Sequence, residues 1–222
     1  MPTNQPLPSS VAGLPTLEAV DLGCRRGNRI LFKGVSLAVS TGQATWLRGR
    51  NGRGKTSLLR LAAGLAVPES GQVLWGGTPV RRSDTFHSAL LYIGHANALK
   101  DDLSVTESLQ FLARMHQRDS DPVALHAALD QVGMGSRRDA MVRTLSQGQR
   151  RRAALARLAL DHRASIWILD EPYDALDADG VECINALLHA HLSRGGSTLL
   201  TSHQAPGASA PDMAEFDLDP FG

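Results

Sequence analysis

Several features that would assign this chain to a particular class of protein are scarce or missing. The 222 residues include only two cysteines, Cys24 and Cys183, which lie far apart and in no metal-ligand spacing. A disulfide scaffold and a zinc site are therefore not supported. The eight histidines form no ligand motif, and the haem-attachment motif Cys-x-x-Cys-His is missing. The net charge of +1 gives no general argument for a nucleic acid or for an acidic partner.

Long apolar runs are also missing. No segment approaches the ~20 apolar residues that a membrane-spanning helix needs. Residues 1–16 contain four prolines and lack the charged and apolar regions of a signal peptide. They are predicted to be a flexible leader. The sequence thus predicts a cytoplasmic protein that reaches a membrane only through a partner, with one domain over residues 17–222.

The most informative feature is the segment Gly-Arg-Asn-Gly-Arg-Gly-Lys-Thr at residues 49–56, a complete phosphate-binding loop. In such a loop, glycines turn backbone N–H groups toward phosphate oxygens, the lysine reaches the β- and γ-phosphates, and the threonine hydroxyl coordinates Mg²⁺. Residues 43–48 are predicted to be the entering strand and residues 56–64 the following helix, whose positive end faces the phosphates. The residues assigned to nucleotide binding here are Gly49, Arg50, Asn51, Gly52, Arg53, Gly54, Lys55, Thr56 and Ser57. The loop alone is compatible with kinases, GTPases and many ATPases.

A second block narrows these possibilities. Leu-Ser-Gln-Gly-Gln at residues 145–149 precedes an Arg- and Ala-rich segment with apolar residues at helical spacing. Ser146 can cap that helix, which leaves amides near Gly148 available to a second anion. Residues 166–171 then read as a buried strand ending in Asp170 and Glu171. In a parallel sheet, such a strand delivers acids to the carboxyl edge.

Together these blocks resemble the ATP-binding subunits of ABC transporters. The resemblance implies that Glu171 orients the attacking water, that His203 is the switch histidine on the γ-phosphate, and that Thr56 and Asp170 serve Mg²⁺. The catalytic residues that it implies are Lys55, Glu171 and His203.

The resemblance covers roughly residues 17–203 and also implies a homodimer with ATP and Mg²⁺ as cofactors. The nucleotide contacts that it adds to the phosphate loop are His95, Ser146, Gly148 and Gln149. The last three would close over ATP held by the other chain, with Ala175-Leu176-Asp177 at the seam. The implied fold class is α/β, a P-loop NTPase with a RecA-like core of the ABC ATPase type. An antiparallel β subdomain and an inserted helical subdomain, roughly residues 97–145, complete it.

Several shorter segments of the sequence are similar to those of the CcmA family. Its members are the ATP-binding subunits of the haem exporter system of bacterial cytochrome c maturation. They include Tyr-Ile-Gly-His at residues 92–95, the Arg-rich helix after the signature, and Leu-Thr-Ser-His-Gln at residues 200–204. The resemblance implies ATP hydrolysis that serves haem export or release of the haem-loaded chaperone CcmE. It also implies membrane partners CcmB, CcmC and CcmD, a peripheral position on the cytoplasmic face of the inner membrane, and no nucleic acid.

Two positions depart from the general ABC pattern. Near residue 26 an aromatic residue usually stacks on adenine, whereas this chain has Arg25 and Arg26, whose guanidinium groups could stack instead. His95 stands where a glutamine usually senses Mg²⁺ and the membrane subunit. A histidine can accept through one ring nitrogen, with a possible sensitivity to pH.

Three other functions stay open at this stage. The chain could serve an ABC transporter for another substrate, act as a soluble ABC protein on nucleic acid, or be a nucleotide-binding regulator without useful catalysis. Soluble ABC proteins usually carry two cassettes, a long coiled coil or a basic tail, none of which is visible. The regulator hypothesis is weakened by the presence of Lys55, Asp170, Glu171 and His203.

The remaining pattern predicts short strands and amphipathic helices. Little regular structure is evident after His203. The arginines at 137, 138, 143 and 150–152 are interpreted as a solvated helix face and its approach loop, with contact to nucleotide or a partner as the alternative. The predicted strands are 17–24, 30–32, 35–39, 71–75, 90–93 and 197–201, and the predicted helices are 105–115, 123–132 and 177–192.

Overall fold

The computed structural model describes residues 14–203, 205 and 207–222, so most of the predicted leader lies outside the described residues. The chain forms nine strands and six α-helices within this part. The strands are β1 (Leu17–Arg26), β2 (Arg29–Val39), β3 (Ala44–Arg48), β4 (Ser70–Trp75), β5 (Thr78–Pro79), β6 (Leu90–Ile93), β7 (Ile166–Leu169), β8 (Ser197–Thr201) and β9 (Met213–Asp217). The helices are α1 (Lys55–Ala62), α2 (Asp84–Ala89), α3 (Val105–Met115), α4 (Pro122–Gln131), α5 (Gln147–Ala159) and α6 (Ala178–Ser193).

The strands form two sheets. One is antiparallel with the order β2-β1-β4-β5, and the other has five parallel strands in the order β6-β7-β8-β3-β9. Every residue of β7 and of β8 is buried, as expected for central strands of a sheet covered on both faces. This arrangement confirms the predicted α/β class, with an antiparallel sheet beside the parallel one.

The parallel sheet separates two hydrophobic clusters, because successive side chains of a strand point to opposite faces. In β7, Trp167 and Leu169 join the cluster formed with α3, α4, α5 and α6. Ile166 and Ile168 join the cluster formed with α1 and the antiparallel sheet. The sheet therefore fixes the phosphate-loop helix on one face and the signature helix on the other.

The helices α3 and α4 lie between β6 and α5 in the chain and pack on α5. Ser104 begins α3 with a capping box to Glu107, which satisfies backbone donors at the helix start. Within the described residues, none of the helices has the length and apolar character that crossing a membrane requires.

The structure differs from the prediction at β2 and after His203. The segments 30–32 and 35–39 form one continuous strand, β2, in which Gly34 has a φ of 71°. Regular structure also continues after His203, because β9 pairs with β3 at the edge of the parallel sheet and a 3₁₀ turn follows at Asp219–Phe221.

Parallel strands point their carboxyl ends toward one edge of the sheet. At this edge, β3 leads into the phosphate loop, β6 into His95, β7 into Asp170 and Glu171, and β8 into His203. The topology thus gathers residues from four distant parts of the sequence, as is usual for ligand sites of open α/β sheets.

Candidate active site

The phosphate loop has the backbone conformation that its glycines permit. Gly49, Gly52 and Gly54 have φ values of 141°, 75° and 105°, a region that other residues rarely adopt. A Cβ on Gly54 would also lie only 3.1 Å from Leu31 Cβ. The helix α1 begins at Lys55 without a side-chain cap, so its first-turn N–H groups are available to phosphate oxygens.

Lys55 lies at this loop with its charge directed back onto it. The side chain is 9% exposed, and Nζ donates to the Gly49 carbonyl at 2.6 Å. Because its backbone belongs to the first residue of α1, the ammonium group is fixed beside the amides that would surround phosphates. A cation at this point complements the charge of a bound polyphosphate.

The carboxylate of Asp170 is buried, with one of its oxygens bonded and the other unpartnered. Thr201 Oγ1 donates to Asp170 Oδ1 at 2.9 Å, whereas Oδ2 has no hydrogen-bond partner among the described residues. Asp170 and Thr56 line the same cavity, which has a volume of 730 Å³. Carboxylate and hydroxyl oxygens are ligands that Mg²⁺ prefers, so these residues fit the ion. When bound with ATP, Mg²⁺ would neutralise charge on the phosphates.

Glu171 follows directly, outside the strand. Because β7 ends at Leu169 and Glu171 has a φ of 51°, the two acids diverge at a turn rather than through the alternation of an extended strand. The interpretation of residues 166–171 as a strand was therefore wrong at its end. The Glu171 N–H donates to Thr201 Oγ1 at 2.9 Å, which holds the turn against β8.

His203 is brought next to Glu171. Its backbone N–H donates to Glu171 Oε2 at 2.9 Å, and its Nε2 lies 3.6 Å from Glu171 Oε1. The imidazole is 58% exposed and borders a cavity of 280 Å³ together with Glu171 and Ala175. The geometry suits a carboxylate that orients water beside a histidine able to reach a phosphate.

His95 is exposed and lines the 730 Å³ cavity with Thr56 and Asp170. The position after β6 therefore faces the same space as the two residues suited to Mg²⁺. The pKa of the neighbouring Tyr92 is raised, first by burial and then by the charge of Asp170. This cavity extends between α1 and the end of α3, where Arg60 and Met115 line it.

The signature residues occupy a different place. Ser146 caps α5 in a capping box with Gln149, and its hydroxyl accepts from the Gln149 N–H at 3.2 Å. Ser146, Gly148 and Gln149 line a cavity of 540 Å³ to which no phosphate-loop residue contributes. Within one chain, the structure does not bring the signature and the phosphate loop together.

Gly148 is in close contact with the segment at residues 175–177. A Cβ added to Gly148 would lie 2.6 Å from the Ala175 carbonyl oxygen, and Ala175 has a φ of 60°. Arg152 forms an ion pair with Asp177, which caps α6. The signature is therefore packed against this segment of its own chain.

Gly148→Ala is expected to force these two segments apart. Overpacking of this kind typically costs about 1–3 kcal/mol of stability. Displacement of the signature by about 1 Å can cost about 10²-fold in rate, so ATP turnover should fall about tenfold or more. Steady-state ATPase assays measure the loss. Gly207→Ala is the matched control, because a Cβ at Gly207 would meet nothing within 4 Å. Equal rates for the two variants would show that the contact with Ala175 does not matter for turnover.

Sequence reasoning missed the contact between the chain's last residues and the phosphate loop. Asp219 Oδ1 accepts from the Arg50 N–H at 2.9 Å, and the carboxylate lies 3.3 Å from Arg50 Nε and 3.4 Å from Arg53 Nε. The Arg50 backbone N–H, followed by the charges of Arg50 and Arg53, lowers the pKa of Asp219. Two of the loop's arginines are thus held by the protein itself.

Sequence reasoning also missed the roles of Thr201 and Arg151. Thr201 bonds to both acidic residues, and its place at the end of a buried strand, two residues before His203, was the only signal in the sequence. Arg151, assigned to a solvated face, is 3% exposed and donates to the carbonyls of Asp170 and Glu171. That part of the interpretation was wrong.

Comparisons with known proteins agree with this geometry. The ABC transporter family matches residues 32–174. The chain is 46% identical over 207 residues to the cytochrome c biogenesis ATP-binding export protein CcmA of Aromatoleum aromaticum, covering 92% of this chain and 97% of that protein. It is 46% identical over 195 residues to the protein of the same name from Salmonella typhi, covering 87% and 92%.

Among solved structures, a putative ABC transporter ATP-binding protein from Pyrococcus furiosus superposes with a TM-score of 0.80. The identity is 21%, and the match covers 93% of this chain and 98% of that one, so it supports the fold alone. The range matched by the ABC transporter family contains the phosphate loop, the signature and both acids, whereas His203 lies beyond it.

Proposed function

Because the chain belongs to the CcmA family and is an ATP-hydrolysing ABC subunit of cytochrome c biogenesis, we propose that its ATP hydrolysis drives haem export or release of the haem-loaded chaperone CcmE. The observation that supports ATP hydrolysis is that the carboxyl ends of four parallel strands lie at one edge of the sheet. There the phosphate loop, the unpartnered oxygen of Asp170 and the Glu171–His203 pair lie side by side.

The proposed division of tasks follows from these positions. The loop amides and Lys55 bind the phosphates, and Thr56 and Asp170 would hold Mg²⁺. Glu171 orients a water molecule and takes its proton as the water oxygen attacks the γ-phosphorus. The bond from that phosphorus to the β,γ-bridging oxygen breaks, ADP leaves with this oxygen, and His203 contacts the transferred group.

A homodimer is proposed because one chain does not complete the site. The signature residues Ser146, Gly148 and Gln149 line their own cavity, away from Lys55. The helix that Ser146 begins has the positive end that favours an anion, but no phosphate-loop residue of the same chain borders it. In a head-to-tail pair, each signature would close over ATP held by the other chain.

The Glu171→Gln variant with ATP and Mg²⁺ is expected to form this dimer, since it keeps nucleotide binding and slows the hydrolysis that would release it. Light scattering at increasing ATP concentration measures the mass. Adding Ser146→Arg to the same variant is the control, because a large cation at the seam should block closure. A mass of one chain at every nucleotide concentration would argue against the dimer.

The partners proposed are the membrane subunits CcmB, CcmC and CcmD, which would hold the chain at the cytoplasmic face of the inner membrane as a peripheral subunit. The 730 Å³ cavity between α1, β6 and α3 supports a contact there, since it opens beside His95 and is lined by the exposed Met115. Such a contact would join a membrane subunit directly to the residues suited to Mg²⁺.

Affinity purification of the chain from membranes, followed by identification of the bound proteins, tests this proposal. Recovery of the Ccm subunits is expected, and recovery of another permease would favour an ABC transporter for a different substrate. A complementary measurement is covalently bound haem in c-type cytochromes. Cells that rely on the Glu171→Gln variant should lose it. Haem-loaded CcmE should accumulate if hydrolysis drives its release, and should be scarce if hydrolysis drives haem export.

A further inference from the structure

Arg151 lies in the second turn of α5 and is 3% exposed. Its Nη2 donates to the carbonyl oxygens of Asp170 and Glu171, both at 2.7 Å. Its Nη1 donates to the Gly94 carbonyl at 3.0 Å and to Asn97 Oδ1 at 3.1 Å. One guanidinium group therefore joins the signature helix, the acid turn and the segment on either side of His95.

The backbone that Arg151 holds is strained. Glu171 has a φ of 51°, and a residue with a side chain keeps such a conformation only where its surroundings enforce it. Three bonds hold it here: Arg151 and the Asp174 N–H both donate to the Glu171 carbonyl, the second at 3.1 Å, and Thr201 Oγ1 accepts from the Glu171 N–H. The peptide groups on both sides of the Glu171 side chain are thereby fixed.

We propose that Arg151 is a positioning residue for ATP hydrolysis, which sets the direction of the Glu171 carboxylate and ties it to the segment that contains His95. This inference rests on the proposed role of Glu171 as the base. A movement of residues 94–97, on the side of the 730 Å³ cavity, would then be transmitted to Glu171 by the Arg151 side chain, in addition to the backbone bond from the Asp170 N–H to the Ile93 carbonyl.

The contacts require an arginine in particular. The planar guanidinium presents its two terminal nitrogens in fixed directions, and here each nitrogen binds two acceptors on a different segment. A lysine keeps the charge but concentrates its donors on one nitrogen, which cannot serve both segments. Burial lowers the pKa of Arg151, and the nearby negative charges of Asp174, Asp170 and Glu171 partly counter this effect.

Arg151→Lys is therefore the informative variant. Single-turnover hydrolysis at saturating ATP should fall about 10- to 100-fold, the scale expected when a catalytic group is misplaced by about 1 Å. The dissociation constant for ATP should change less than about twofold, since Arg151 contacts carbonyls and not the phosphate loop. Asn97→Ala should give a smaller loss of the same kind, because it removes only one bond to the His95 segment.

The matched control is Arg118→Lys. Arg118 is also a buried arginine, with a side chain that is 4% exposed and paired with Asp161 at 3.2 Å, and neither residue contacts Asp170 or Glu171. Its replacement should lower the unfolding temperature to a similar extent and leave the hydrolysis rate unchanged. If Arg151→Lys does not fold, Arg151→Gln takes its place, because a neutral amide leaves no unpaired charge buried.

A double-mutant cycle with Glu171→Gln tests whether Arg151 acts on hydrolysis through Glu171. If Arg151 acts through Glu171, the double variant should hydrolyse ATP at the rate of Glu171→Gln alone. A further loss in the double variant, a parental rate for Arg151→Lys, or a loss of ATP affinity in proportion to rate would each overturn the inference. A parental rate for Glu171→Gln itself would instead overturn the assignment of the base.

Discussion

Lys55→Ala is expected to abolish most ATP binding while the fold stays intact. The ammonium group bonds to the Gly49 carbonyl at the mouth of the loop and contributes little to the core. Bonds that involve a charged group contribute about 1.5–3 kcal/mol each. Losing those to the β- and γ-phosphates should weaken binding about 100-fold or more. Equilibrium nucleotide binding and steady-state hydrolysis measure the effect, and circular dichroism checks the fold.

Lys33→Ala is the control for this variant, because it removes the same charge from an exposed position on β2. It should bind and hydrolyse ATP as the parent does. If Lys55→Ala keeps both its circular dichroism spectrum and its ATPase activity, the assignment of the phosphate loop is wrong. If both variants lose affinity equally, the overall charge matters rather than the position of Lys55.

Local sequence signals were enough for the elements with strong periodicity. The strand at 90–93, the helix at 105–115 and the strand at 197–201 have the bounds that were predicted. In α3, apolar residues recur at helical spacing and the helix starts at a capping box, so both its face and its beginning are encoded within a few residues. The phosphate loop is similarly local, since its glycines and Lys55 are consecutive.

β9 escaped prediction because its residues carry almost no strand signal. Met-Ala-Glu-Phe-Asp at 213–217 includes two acids, and none of its side chains is fully buried. The segment becomes a strand by pairing with β3 at the sheet edge, and this pairing depends on tertiary structure rather than on periodicity. The same pairing positions Asp219 against the phosphate loop.

Arg151 was misplaced for a related reason. Its neighbours Arg150 and Arg152 are partly exposed, and the three arginines look alike in the sequence. What separates Arg151 is a set of four acceptors near residues 94–97 and 170–171, more than fifty residues away on one side and about twenty on the other. No local pattern can report acceptors that only the fold assembles.

The turn after β7 bears on how Asp170 and Glu171 divide their tasks. The pleat of a strand would send neighbouring side chains to opposite faces, but the strand ends at Leu169. The left-handed conformation of Glu171 instead directs its carboxylate to the backbone N–H of His203. Asp170 remains buried with Oδ2 unpartnered among the described residues, and it lines the 730 Å³ cavity together with Thr56. One acid is thus suited to the metal and the other to water.

Asp170→Asn should weaken the binding of Mg²⁺-ATP, because an amide replaces one anionic oxygen with an N–H donor. The variant should keep the bond from Thr201, so its fold and its affinity for ATP without metal should change little. ATP titrations with Mg²⁺ and with EDTA measure the difference. If Mg²⁺ strengthens ATP binding to the variant as much as to the parent, Asp170 does not serve the metal.

Glu171→Gln should show the reverse behaviour, with binding preserved and hydrolysis slowed. A positioned general base typically contributes about 10²–10⁴-fold, and the single-turnover rate should fall within that range. Glutamine can still accept from the His203 N–H, so the turn stays in place while the proton acceptor is lost. Glu215→Gln is the control, since Glu215 forms only an exposed ion pair with Arg48, and such pairs contribute little to stability. Hydrolysis by Glu171→Gln at the parental rate would mean that Glu171 is not the general base. Two alternatives would then remain: another residue activates the water, or the chain is a regulator without useful catalysis.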